Sequence, residues 1–174
     1  TALINVARGQ LAGDAECCRR IGTLSTVAGQ QVYDFDDIDL PGTPATTGVE
    51  GVINVRRINY GVGQGQKYVT PRPWEWFDLY VLNDPVPQAA PPATWAQYGQ
   101  GASPGDTGAA AGGSIYINVP DNVYTLYLDC VCYPQALDDD DTIEAIPYLW
   151  TDAVPYFAAY RALQAAQTND RMAD

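Results

Sequence analysis

Histidine is absent from all 174 residues, so the chain holds no ordinary general base near neutral pH and no Ser-His or Cys-His nucleophile. Positive charge is scarce as well. Nine Lys and Arg stand against 21 Asp and Glu, a net charge of -12, and such a field repels polyphosphate and argues against a conventional nucleic-acid binder. No run of 18 apolar residues occurs, so no membrane-spanning helix is expected. The residues after Thr1 form neither a basic n-region nor an apolar signal core, which predicts a soluble, unsecreted protein. Cysteine is limited to Cys17, Cys18, Cys130 and Cys132, with no C-x-x-C spacing. Without histidine a metal would need thiolates and carboxylates alone, and the expectation is four reduced, metal-free thiols.

Tyr, Gly and Pro are plentiful, a mix that suits strands joined by turns. The length fits one domain, 1–174, with irregular excursions. At residues 2–21, Ile4, Ala7, Leu11, Ala15 and Cys18 recur in steps of three and four, which predicts a helix with Arg8 on its polar side and Gly22 as its stop. The period then becomes two. Gln31, Tyr33 and Phe35 share one side of a strand, and Val49 to Tyr60 reads as a longer strand covered on both faces.

Gly61 to Lys67 has glycines and a lysine but not the Walker spacing, and it joins strand to strand, so it reads as a hairpin tip. The aromatic piece Pro73 to Leu82 is a short helix or a strand. From Pro85 to Gly113 the chain is rich in Pro, Ala and Gly, broken only by Trp95 and Tyr98. It reads as an extended excursion that needs a partner. Ile115 to Val119 and Val123 to Tyr133 predict a hairpin turning at Pro120, Asp121 and Asn122, the centre of the sheet. The acids Asp138 to Asp141 lack calcium-loop spacing and read as a solvated turn. A second helix is expected over 146–168, with Pro147 in its first turn, a face of Leu149, Ala153, Tyr156, Tyr160 and Leu163, and a bend or split at Pro155.

The fold class expected is therefore α+β, an antiparallel sheet or sandwich over about 23–133 packed with two terminal helices and carrying long irregular loops. Paired carboxylates are the remaining catalytic option, but the acids gather in turns at 34–39 and 138–141 where solvent leaves them ordinary. No catalytic, cofactor-binding or metal-binding residue is expected.

The order of features resembles the head-to-tail connector or adaptor proteins of podovirus-like and related tailed bacteriophages. The resemblance rests on the amino-terminal helix, Gln31-Val32-Tyr33, Val52-Ile53-Asn54-Val55-Arg56-Arg57 and Trp95-Ala96-Gln97-Tyr98-Gly99. It continues through Ile115-Tyr116-Ile117-Asn118-Val119-Pro120, Tyr124-Thr125-Leu126, and Ile146-Pro147 opening Val154-Pro155-Tyr156-Phe157-Ala158-Ala159-Tyr160. It implies a virion protein, made in the host cytoplasm, that forms a homo-oligomeric ring, a dodecamer, beneath the portal protein. Such a ring passes DNA through its lumen without sequence-specific binding and docks tail or nozzle proteins. Contacts are expected from the loop 85–113 with Trp95 and Tyr98, and from Tyr156, Tyr160 and Leu163. A carbohydrate- or protein-binding β-sandwich, dependent on calcium, is the alternative from another class, and a carboxylate hydrolase is a third.

Overall fold

A computed structural model describes residues 2–61, 65–84, 87–100, 112–139 and 141–172, with side chains to 166. Seven strands form one sheet: β1 (Arg19–Ser25), β2 (Val32–Asp34), β3 (Val49–Tyr60), β4 (Lys67–Pro71), β5 (Thr94–Tyr98), β6 (Ser114–Ile117) and β7 (Thr125–Pro134). Their order is β1-β7-β3-β4-β5-β6-β2. Pairing is antiparallel at β1–β7, β3–β4, β5–β6 and β6–β2, and parallel at β4–β5. The helices are α1 (Ala2–Ala15), α2 (Pro44–Thr47), α3 (Trp74–Phe77, continued as a π turn over Asp78–Leu82), α4 (Tyr148–Thr151) and α5 (Ala153–Met172). The α+β class is therefore as expected, with a single mixed sheet.

The chain divides into two compact units. One comprises residues 1–18, 42–50 and 132–174, the other 19–41 and 51–131.

In the second unit, β1 and β2 are consecutive in sequence yet occupy opposite ends of the strand order. Seven residue steps from Ser25 to Val32 reach at most about 25 Å, while six strand spacings in a flat sheet cover about 29 Å. The sheet must curl. The link is held where it crosses: the Thr26 N–H donates to Tyr124 O (2.9 Å), the Gly29 N–H to Pro120 O (2.9 Å), and the Ile117 N–H to Gln31 O (2.8 Å). The Tyr33 hydroxyl accepts from the Val27 N–H (2.9 Å) and donates to Gln30 O (3.0 Å). Burial of that ring raises the phenol pKa above its usual value, so the hydroxyl stays a donor. The chain beyond β2 also returns to β1, because Thr23 and Asp39 exchange two backbone bonds of 2.8 Å.

Several expectations need correction. The first helix stops at Ala15, after which Glu16 takes a left-handed conformation (φ 50) and the chain turns into β1. Gly22 caps nothing: it lies inside β1, where a Cβ would come within 2.5 Å of Ile38 Cγ2, so only glycine lets the 38–40 segment close over the strand. The proposed hairpin is not one. β6 pairs with β5 and β2, whereas β7 lies between β1 and β3, because the Pro120 turn bonds to Gly29 and bridges Ala90 instead of folding β6 onto β7. The Pro/Ala/Gly excursion also contains a strand, β5, within the sheet; residues 85–86 and 101–111 of that excursion lie outside the described residues.

Other expectations hold. β3 covers the span that the alternation marks, with Val52, Ile53, Val55 and Ile58 buried on both faces. β3 and β4 pair as a hairpin whose tip, 62–64, lies outside the described residues. The aromatic piece 73–82 is helical, and Phe77 is fully buried.

The first unit packs α1 against α5. Pro147 caps α4, accepting the Trp150 N–H at 2.8 Å. Pro155 has no N–H to offer Thr151 O, and its ring crowds that carbonyl, so the helix breaks at Asp152 and restarts as α5. Arg8, placed on the polar side by its sequence position, is instead 1% exposed. Its guanidinium meets Glu144 through Nη2 to Oε1 (2.7 Å) and Nε to Oε2 (3.0 Å), and donates to Gln135 O (2.7 Å) and Asn5 Oδ1 (3.3 Å). Glu144 Oε1 further accepts the Ile146 N–H at 2.8 Å. The arginine thus ties α1 to both ends of the 135–146 segment.

Cys18 is buried beside Cys17, Cys132 and Glu144. Burial first, and the charge and hydrogen bond of Cys17 next, push its thiol up to about 12. No disulfide joins any of the four cysteines.

Two predictions follow from these groups. Glu144→Ala strands a buried cation and should lower the unfolding free energy by about 3–5 kcal/mol. Arg8→Met leaves Glu144 with a side chain 35% in water and should cost clearly less; equal losses in urea titrations would refute that ordering. For Cys18, the folded thiol keeps its proton above the pH at which the unfolded one, near 9.0, loses it. Its contribution is therefore complete below that pH and lost as pH rises toward 12. Over about pH 8 to about pH 11 the wild type should lose more stability than Cys18→Ala, and parallel curves would contradict this.

Candidate assembly interface

A helix of a globular unit normally turns its large apolar residues inward. α5 does the reverse. Among its described side chains Val154 and Ala158, one turn apart, are the buried positions, and its neighbour α1 buries Ala7 and Ala12 beside Arg8. Small residues let the two helices approach closely, while the long side chains project outward. Tyr156, Tyr160 and Leu163, spaced four and three residues apart, are 79%, 55% and 65% exposed. The break at Asp152 lets α4 add Tyr148 and Leu149, both almost fully exposed, and Trp150. The Gln164 side chain donates to the Tyr160 hydroxyl at 2.6 Å, which orders the ring without covering it. Leu3, Ile4 and Val6 of α1 are exposed in the same unit.

So large an uncovered apolar and aromatic surface is the usual mark of an interface. The sequence pattern locates these residues on one helical stripe, but predicts neither their outward orientation nor the alanine packing beneath them.

The remaining expected contact residues lie in the second unit. Trp95 is 4% exposed; its ring belongs to the core of the sheet, and the short strand that carries it is hidden by the flanking Pro and Ala. Tyr98 is 55% exposed and joins an aromatic cluster, with its ring 4.7 Å from Trp74, which in turn stands 4.5 Å from Tyr116.

The acids serve local structure. In the 34–39 turn, Asp34 accepts from the Ser114 hydroxyl (2.9 Å) and Asp37 from the Asp34 N–H (3.0 Å). Asp139 takes the Thr142 hydroxyl at 2.7 Å, which holds its carboxyl below the usual range. Asp140 of that run lies outside the described residues. Asp129, buried in β7, pairs with Arg19 of β1 (Nε to Oδ1, 3.1 Å) and fixes that ladder. No cluster of three metal-ligating side chains occurs among the described residues, and no described helix is long and apolar enough to cross a membrane.

Comparison with known proteins agrees with an assembly role. No curated protein sequence matches the chain. A family model does, over residues 1–174; its description is SU10 adaptor protein, and the chain accordingly belongs to the SU10 adaptor family of phage structural proteins.

Proposed function

We propose that the protein is one subunit of a homo-oligomeric ring, a dodecamer, that joins the portal to the tail of a bacteriophage virion. Residues 1–174 act as one adaptor module, assembled in the host cytoplasm. The ring surrounds the DNA path without holding the DNA, and its other end receives tail or nozzle proteins. The reading is supported by family membership and, above all, by the outward aromatic stripe of α4 and α5. A free chain has no use for six large apolar side chains held in water. Covered by a neighbour, the same rings become the anchor of an interface.

The acidity fits this role. A lumen carrying net negative charge offers phosphates no counterion-releasing contacts, so DNA slides instead of sticking. The chemistry is structural, and the chain contributes surfaces, not a reaction.

The contact assignment centres on Tyr156, Tyr160 and Leu163, with Tyr98 and the loop around it as a further surface and Trp95 as its internal support. Replacing Tyr156 and Tyr160 together by Asp should leave the helical signal of the purified chain unchanged, since both rings are exposed. Buried in an interface, each unpaired carboxylate costs about 2–5 kcal/mol, so the variant should be missing from particles assembled in a complementation experiment. Normal infectious particles containing the variant would defeat the contact assignment, and purified virions lacking the wild-type protein would defeat the ring itself.

A further inference from the structure

Charge is sorted along the second unit. Residues 56–72 contain Arg56, Arg57, Lys67 and Arg72, four of the nine basic residues of the chain, and no acid. Residues 21–41 contain Asp34, Asp36, Asp37 and Asp39, and no base. The four basic side chains on β3, on β4 and just beyond it are exposed. Arg57 lies over the Tyr68 ring (5.6 Å), Lys67 over Tyr60 (5.9 Å) and Arg72 over Trp76 (4.6 Å). The pairing of Tyr60 with Lys67 and of Asn59 with Tyr68 sets Lys67 on the sheet face opposite Arg57 and Tyr68, whereas Arg72, whose N–H continues the alternate bonding of Thr70 to β5, shares the face of Tyr68. The patch is therefore Arg57 and Arg72 on their aromatic rings, each held at the surface with its charge uncompensated. Neither Arg57, Lys67 and Arg72 nor the four Asp of 34–39 form an ion pair with a group of opposite sign among the described residues.

Topology sets the two patches apart. The acidic turn stands at the seam of the curled sheet: Asp34 ends β2, and Asp39 bridges Thr23 of β1. β4 is the middle strand, three places from either edge. In a curled sheet the middle strand faces away from the seam, so the basic aromatic patch and the acidic turn occupy opposite sides of one unit.

From this we infer that the β3–β4 patch docks onto the 34–39 turn of a second copy, making a head-to-tail contact between charge-complementary sides. The inference rests on the reading of the chain as a ring subunit and names the contact that would close it. Patches on opposite sides cannot both be satisfied within a single two-fold pair. Each copy therefore leaves one patch free for the next, and the series closes as a ring when the rotation allows. A nucleic acid is the weaker occupant, because the ring faces on which bases would stack are those the cations cover.

The test uses the whole chain and two charge-reversed variants. One carries Arg57→Glu and Arg72→Glu. The other carries Asp36→Lys and Asp39→Lys, leaving the hydrogen-bonded Asp34 and Asp37 intact. Sedimentation velocity should show wild-type association weakening at least tenfold between about 50 mM and about 500 mM salt. Each variant alone should remain monomeric with wild-type circular dichroism, and an equimolar mixture of the two should associate again. Where reversal disturbs the fold, Arg57→Gln and Arg72→Gln replace it and must still weaken association.

Four results would overturn the contact: a monomeric wild type at low salt, a reversed or neutralised variant that associates normally, a mixture that stays monomeric, or loss of duplex DNA binding in the basic-patch variant without loss of association. The ring reading is decided separately. A wild-type protein found in virions but indifferent to these reversals loses the charge contact only, whereas its absence from virions removes the ring.

Discussion

The second unit depends on a length constraint. Six residues join strands that stand at the two ends of a seven-strand order, and a chain of that length cannot cross a flat sheet. Curling is thus imposed by connectivity before any side chain is considered. The groups along the link then make the curled state specific. The Thr26 hydroxyl donates to Asn122 O at 3.2 Å and accepts the Tyr124 N–H at 2.8 Å, and Tyr33 closes the link on itself. Thr26 is fully buried, and the backbone donors of Thr26, Val27, Gly29 and Gln30 each find an acceptor at this crossing, which lowers the cost of burying irregular chain. Gly22 and Gly113 serve the same closure. At Gly113 a Cβ would meet the Phe35 ring at 2.5 Å.

The first unit solves a different problem. Its helices are joined through alanine and valine, which bury little area per residue, and the energetic weight shifts to a guanidinium bonded to Glu144, Gln135 and Asn5. A polar lock of this kind fixes one arrangement because a shifted helix would leave a charge without partners. Large apolar side chains are then released from core duty. That division explains how a helix can keep its place while presenting tyrosines and leucine to the outside.

What the sequence discloses follows the range of the interactions. β3 is legible because its alternation is intrinsic to twelve consecutive residues, and the Pro155 break is legible because the missing N–H is a property of proline itself. α1 runs too long in a sequence reading because Cys18 continues the helical spacing by coincidence; the turn at Glu16 has no periodic signature. The supposed β6–β7 hairpin fails since adjacency in sequence carries no information about which edge a strand joins. The burial of Arg8 is invisible for a similar reason, its carboxylate partner being 136 residues away. Of the expected contact residues, the α5 stripe is visible as a stripe, but which side it faces depends on the alanines that α1 and α5 share.

The curled sheet has one more consequence. β2 is three residues long, and β1 is bridged at Thr23 and overlain at Gly22, so little bare backbone remains for another strand to pair with. Copies of this protein are thereby denied the least selective route to association, the indefinite stacking of hydrogen-bonded strands. Whatever they build must be built by side chains, whose shapes and charges accept a neighbour in one register and refuse it in others. An order of assembly can be written into such contacts; it cannot be written into a naked strand.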